Sequence, residues 1–350
     1  MHMADALLSP AVGVTMWAGS MAAIGYSSKR LKDNLDNRTL PLMGVLGAFI
    51  FAAQMINFTI PGTGSSGHLG GGTILAAILG PHAAFLSIAS VLSVQALFFA
   101  DGGLLALGCN IWNLGVYPCF LVYPLIFKPI AGDGTSTRRL AVASIVSALI
   151  ALQLGAFSVV METLVSGKSE LPFGTFVLLM QPIHLAIGLV EGIATAGIIS
   201  YVKSARPEIM QSNSSSRPLD AGIPVHNVLI VFVILAVVTG GALSWFASTR
   251  PDGLEWSIEK VTGKTELNEQ KDGIAPALKE LQKKTAFLPG YNFRSGVGEN
   301  AEGEKAPAWP GIETGTSVAG IVGGGIVLGL VLLIGFGIRF FKKRSASRRI

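Results

Sequence analysis

The chain has 350 residues, 50% of them hydrophobic and only 13% charged, with 43 glycines and a mean hydropathy of +0.57. No ordinary soluble domain combines these values, and they specify a polytopic membrane protein. The net charge of +5 comes largely from Lys and Arg clustered beside apolar spans, which reads as topology and excludes a nucleic-acid surface.

The chain opens MHMADALLSP, without the basic n-region of a cleavable signal peptide. Initiator methionine is trimmed when a small residue follows. His2 is not small, so Met1 is expected to stay. That leaves an α-amine, the His2 amide and the His2 imidazole on consecutive attachment points. Apolar spans follow at about 10–28, 40–60, 81–99, 104–127, 140–165, 173–202, 225–247 and 316–341. The stretch LGGGTILAAILG at 69–80, at roughly 1.5 Å per residue, is too short to cross a hydrocarbon core of roughly 30 Å.

Short connections rich in Lys and Arg belong in the cytoplasm. Here they hold Lys29, Arg30, Lys32 and Arg38, then Lys128, Arg138 and Arg139, then Lys203, Arg206 and Arg217, and finally the tail FKKRSASRR. The charges alternate without conflict only if 69–80 counts as a crossing. It is then a short, partly sunk helix ending at Gly80-Pro81, preceded by a glycine-rich loop that dips in from outside. Irregular backbone at that depth is tolerated where protein buries it or where it lines a cavity. The expected fold is all-α: a seven-helix bundle over 1–203, a cytoplasmic linker over 204–224 and a two-helix module over 225–350. The N-terminus is outside and the C-terminus cytoplasmic. The second module encloses an external segment, 249–314, in which PDGLEW carries Pro-Asp-Gly as a turn signal. Cys109 and Cys119 fall inside an apolar run and read as small buried hydrophobes.

The N-terminus has chemistry available to it. Coordination by the Met1 amine and the deprotonated His2 amide closes a five-membered chelate ring. Adding Nδ1 of His2 closes a six-membered one, so three nitrogens share a plane. Nitrogen ligation in a square plane suits Ni(II) or Cu(II). The fourth donor has to be an imidazole that meets this end of the chain. His68, in GTGSSGHLGGG, lies in the dipping loop, where glycines on both sides allow close backbone approach. At this point the residues alone leave two readings open, a ligand pair or an unremarkable terminal His and a solvated loop His.

Several ordered motifs bear on that choice. The opening MH with LSP a few residues on, then GTGSSGHLGGGTILAAILGPHAA, SVQALFFADGGLLALGCNIWNLG and IHLAIGLVEG, resemble the NikM/CbiM family. These are the nickel and cobalt substrate-binding membrane components (S components) of energy-coupling-factor transporters. The resemblance covers residues 1 to about 203, and PDGLEW resembles the PDGLE domain of the family's small partner subunit, here fused behind the linker. It implies ligation by Met1, His2 and His68, Ni(II) as transported substrate with Co(II) as second choice, no organic cofactor, and partnership with a transmembrane coupling subunit (the T component) and ABC ATPases. One departure is visible. The family opens close to MHIPDGYLSP, and ADA in place of PDG leaves the shape of that turn open.

Other polar residues in apolar spans are functional candidates, because stranding them in lipid is costly. His82 follows the Gly80-Pro81 turn and reads as a helix-end residue more than as a ligand. Gln95, Asp101, Asn110 and Asn113 surround the turn ADGG, with Asp101 read as a turn residue. Asn110 and Asn113 share a helix face and are candidates for supporting hydrogen bonds around the metal. His184 and Glu191, seven apart on one helix, are candidates for the same role or for helix-to-helix hydrogen bonding. Small residues at Ala18 and Ala22 permit close helix approach, and the resemblance implies that this stripe meets the coupling subunit.

No GxxxxGK[ST], HExxH, GxSxG or CxxC is present, so ATP hydrolysis is expected in separate subunits and enzyme chemistry is not indicated. A self-sufficient secondary permease is an alternative class, but the halves show no repeat; a membrane metal sensor is another. The external segment has carboxylates but no histidine between Thr249 and Thr314, and His226 lies at the cytoplasmic start of its helix. The second module is therefore expected to aid delivery and to leave metal affinity unchanged when removed.

Overall fold

The computed structural model describes residues 2–34, 38–168, 171–210, 225–265, 267, 273–294 and 309–347. In a bilayer every backbone polar group has to be satisfied within the protein, and helices do this locally. The first module supplies α1 (Pro10–Asn34), α2 (Thr39–Gln54), α3 (Gly72–Leu79) and α4 (Pro81–Phe99), then α5 (Leu107–Ala131), α6 (Thr137–Ser166) and α7 (Phe173–Ala205). Pro118 and Pro124 each remove an amide donor from α5, and from Trp112 to Phe127 that helix takes the wider π winding. After the linker come α8 (His226–Gly241), α9 (Gly253–Thr262), α10 (Ala275–Thr285) and α11 (Thr314–Ser347). Most of the linker, 211–224, lies outside the described residues.

Among the described residues, five helices are long and apolar enough to cross a membrane: α4, α5, α6, α7 and α11, the last over Thr314–Phe340. α2 and α8 are shorter apolar helices, and both stop short of the expected spans. α2 ends at Gln54, and the chain turns through the short hairpin β1 (Phe58–Thr59) and β2 (Ser66–Gly67). Gly62 and Gly64 adopt positive φ in its loop. α8 ends at Gly241 and continues as a single 3₁₀ turn, Leu243–Phe246. The segment over 249–314, expected as an external segment of mixed charge, contains the two helices α9 and α10.

α3 is only 8 residues long, about 12 Å, and is buried from Gly72 to Ile78. It sits among α4, α5, α6, α7 and α2. α6 and α7 form a long hairpin beside it. On the opposite side α2 is buried nearly throughout, because α4 covers one flank while α8 and α11 of the C-terminal module cover the other. The C-terminal helices are therefore part of the wall of the bundle.

α8 and α11 cross at a pair of glycines. A Cβ at Gly320 would lie 2.5 Å from the Gly240 backbone, and one at Gly240 3.0 Å from the Gly320 Cα. Backbone cannot yield as a side-chain tip can. Gly320→Val is expected to force α8 and α11 apart and to cost at least the roughly 1–3 kcal/mol of core overpacking. Thermal unfolding in detergent would read this as a lowered midpoint, whereas Gly325→Ala, at a position with nothing within 4 Å, should leave it in place.

Candidate metal centre

The residues ahead of α1 are fastened to the turn between α4 and α5. The Met3 amide donates to Asn110 Oδ1 (2.8 Å), and the Met3 carbonyl accepts from Asn110 Nδ2 (3.3 Å) and from the Gly103 amide (2.9 Å). Asp5 accepts the Ala106 amide at 2.9 Å and begins a single 3₁₀ turn, Asp5–Leu7. Of the ADA sequence, Asp5 thus does the fastening, and the alanines on either side lie at ordinary negative φ.

This anchoring places His2 in the protein interior, its side chain 6% exposed, beside His68, which is 8% exposed. The two imidazoles lie 14° from parallel with centroids 4.9 Å apart. Burial lowers the pKa of His2, opposed by the charge of Asp101, and holds that of His68 well below its usual value. Burial thus favours the neutral form of both rings. Met1 lies outside the described residues. Among the described residues no three His, Cys, Asp or Glu side chains are grouped to hold an ion, so a site here has to draw on backbone or terminal donors as well.

The loop carrying His68 is held from three sides. Glu191 on α7 accepts the Gly70 amide on one carboxylate oxygen (2.6 Å) and the Gly71 amide on the other (3.2 Å). Gln54 at the end of α2 donates to the Gly70 carbonyl at 2.8 Å. Gly71, at φ +77° and with Ile50 within 2.5 Å of any Cβ, meets both the backbone and the space requirement for glycine. One turn back along α7 from Glu191, Ile187 packs against Gly67, where a Cβ would meet it at 2.4 Å.

The third side is the C-terminal module. The Ser66 amide and hydroxyl donate to the carbonyls of Pro251 (2.8 Å) and Arg250 (2.7 Å). The PDGLE residues begin α9. Asp252 accepts the amides of Leu254 and Glu255, and Glu255 accepts the Asp252 amide, a complete capping box. Gly253 lies against α7 so closely that a Cβ would be 2.6 Å from Ile183 and 3.1 Å from the His184 ring. Reading PDG as a turn missed this; Asp252 followed three residues later by Glu255, ahead of a half-apolar helix, was the available signal.

His184 donates from Nδ1 to the Met180 carbonyl at 2.8 Å, which leaves Nε2 as a lone-pair acceptor. That atom is buried without a partner, as are His2 Nε2 and Trp256 Nε1. Buried orphans of this kind are rare; these three lie near the His2–His68 pair and the PDGLE turn, and others are spread through the bundle, at Ser27, His82, Ser147 and Thr195 among them.

The other candidates separate. Asn113 is not beside Asn110's partner; its Nδ2 donates to Glu162 on α6 at 2.9 Å. The π winding of α5 alters the face that ordinary helical spacing assigned to the pair. His82 packs against Tyr26 and Phe120 at the far end of α4, about 26 Å away at 1.5 Å per residue. Ala18 and Ala22 are exposed on α1, whose opposite face packs Gly13 against Leu105 and Gly19 against Trp112. Cys109 and Cys119 are buried and free.

Residues 2–209 match the family model described as the cobalt uptake substrate-specific transmembrane region, CbiM. The chain belongs to this family. Residues 226–340 match the PDGLE domain, so the CbiM region and the PDGLE region are joined in one chain. A NikMN-type chain of Archaeoglobus fulgidus is 31% identical over 94% of this chain and 96% of its own length. The fused nickel transport protein NikMN of Rhodobacter capsulatus is 29% identical over 79% of this chain and 82% of its own. The cobalt transport protein CbiM of Sorangium cellulosum is 27% identical over 60% of this chain and 94% of its own. A crystal structure of a transition metal transporter superposes with a TM-score of 0.52 at 28% identity, covering 62% of this chain and 99% of that one. The CbiM region thus corresponds to the seven-element bundle and the PDGLE region to the helices that wall it.

Proposed function

We propose that the chain captures Ni(II), with Co(II) as second choice, from the external side, and delivers it across the cytoplasmic membrane as the substrate-specific component of an energy-coupling-factor transporter. The observation that carries this is the burial of His2 against His68 on two separately anchored segments. A terminal His and a loop His have no reason to share a dry pocket unless something joins them. The Met1 amine, the His2 amide nitrogen, His2 Nδ1 and a nitrogen of His68 would complete a square plane, and a late divalent ion suits it. The names of NikMN and CbiM relatives support metal as the cargo.

Energy comes from partners. The exposed Ala18 and Ala22 stripe on α1 offers a close-packing surface for a transmembrane coupling subunit, which in turn would engage ATP-binding cassette subunits. Metal accumulation by cells expressing this chain with and without those partners tests the assignment. Accumulation only with the partners supports it, and equal accumulation without them favours a self-sufficient permease.

The Glu191 clamp gives a prediction within this reading. Glu191→Gln keeps the side-chain volume but turns one acceptor into an amide group facing a backbone N–H. The His68 loop should loosen, and Ni(II) affinity should fall about 10- to 100-fold, as is usual when a group supporting a ligand is lost. Equilibrium binding on purified protein measures it, with normal membrane insertion as the control.

A further inference from the structure

We propose that Asp101, aimed by Tyr291 of the C-terminal module, is the oxygen ligand that first takes the incoming hydrated divalent ion and passes it to the buried nitrogens. The inference rests on the His2–His68 reading of the site and assigns its entrance. Asp101 sits at the tip of the α4–α5 turn with Oδ1 3.3 Å from His2 Nδ1, the nitrogen that closes the chelate. Its side chain is 24% exposed against 6% for His2, so it is the outermost of these groups.

The turn is built to hold it there. Ala100 (φ 54°) and Gly102 (φ 78°) both adopt left-handed backbone on either side of Asp101. For alanine that conformation persists only where surrounding structure enforces it. The end of α4 closes on itself through the Asp101 amide and the Gln95 carbonyl, and Gly103 is held by the Met3 carbonyl; the C-terminal module adds to this. Gln282 Nε2 donates to the carbonyls of Ala96 and Gly102, each at 2.8 Å, and the Leu288 amide donates to the Phe98 carbonyl at 3.3 Å. Tyr291, itself at φ 63°, lays its ring 5.2 Å from that of Phe99 and 20° from parallel to it. Its hydroxyl donates to Asp101 Oδ2 at 2.5 Å. One carboxylate oxygen is thereby fixed by the module and the other is presented to His2.

The chemistry suits a relay. A carboxylate oxygen can replace a water of a hydrated divalent ion, while a nitrogen set binds nickel more firmly once reached. A negative group at the mouth of a dry pocket also raises the local cation concentration and the rate of encounter. Asp101 therefore acts on the rate of loading and is absent from the final coordination sphere. Because the groups that aim it lie at 282–291, the fused module enters the loading step without contributing a histidine.

The test is rapid-mixing absorption with Ni(II) alone on the purified full chain. Asp101→Asn should lower the second-order association rate constant about tenfold or more and flatten its dependence on ionic strength. Tyr291→Phe, which keeps the ring on Phe99, should lower it several-fold, and both should reach the wild-type final spectrum. An unchanged rate in both variants overturns the proposal. So does a faster rate in Asp101→Asn, which would make the Asp101–His2 contact a latch that the metal has to break, and so does an altered final spectrum, which would make Asp101 a permanent ligand. His2→Ala separates the levels: if it binds Ni(II) with the wild-type spectrum, the site reading itself is wrong.

Discussion

A single residue placed ahead of Met1 should abolish high-affinity Ni(II) capture while membrane insertion and folding stay normal. The amine and the His2 amide nitrogen belong to one chelate, and an extension converts the amine into a peptide nitrogen. The new amine cannot slide into its place. Both polar groups of the Met3 backbone are held, the amide by Asn110 and the carbonyl by Asn110 and Gly103, and Asp5 is fastened to Ala106. The register of the segment is therefore fixed, and an added residue is displaced outward. The loss should exceed the tenfold to about 100-fold that follows removal of a group supporting a ligand. Equilibrium dialysis on extended and unextended protein measures it, and equal affinity in the two would remove the N-terminus from the site.

His68→Ala should leave weak residual binding. The substitution takes one corner of the plane but spares the three donors at the N-terminus, and water can occupy the vacant corner. The fold should survive, because the loop is also held through the backbone of Ser66, Gly70 and Gly71. Affinity is expected to fall by about 100-fold or more, beyond the range for supporting residues, with uptake lowered but measurable at high external metal. Wild-type uptake at limiting nickel would exclude His68 as the closing ligand.

The residues of the proposed metal site were legible as candidates because their chemistry is local. His2 beside a terminal amine and His68 among glycines announce themselves in sequence, as does the short helix before Gly80-Pro81, which is too short for an ordinary crossing although the charge alternation requires one there. What the sequence hid was contact over long separations. Glu191 reads as an acid on an apolar face, but that it accepts the Gly70 and Gly71 amides depends on how α7 lies along the loop. Glu162, which accepts from Asn113, was detectable as a carboxylate inside an apolar span and was passed over. Tyr291 and Gln282 carry no local signal; each matters only because α10 and the turn after it reach back to the α4–α5 turn. The search for ligands in 249–314 looked for histidines and found none, yet the module meets the site through backbone and hydroxyl groups. The expectation that removing it leaves affinity unchanged does not fit these contacts, nor the burial of α2 beneath α8 and α11.

X-ray absorption at the nickel edge, combined with the visible spectrum of the Ni(II)-loaded full chain, tests the central claim most directly. Four nitrogen neighbours in one shell, no oxygen or sulfur, and the diamagnetic absorption of a square-planar d⁸ ion are the predicted result. A paramagnetic six-coordinate ion with oxygen neighbours would contradict it.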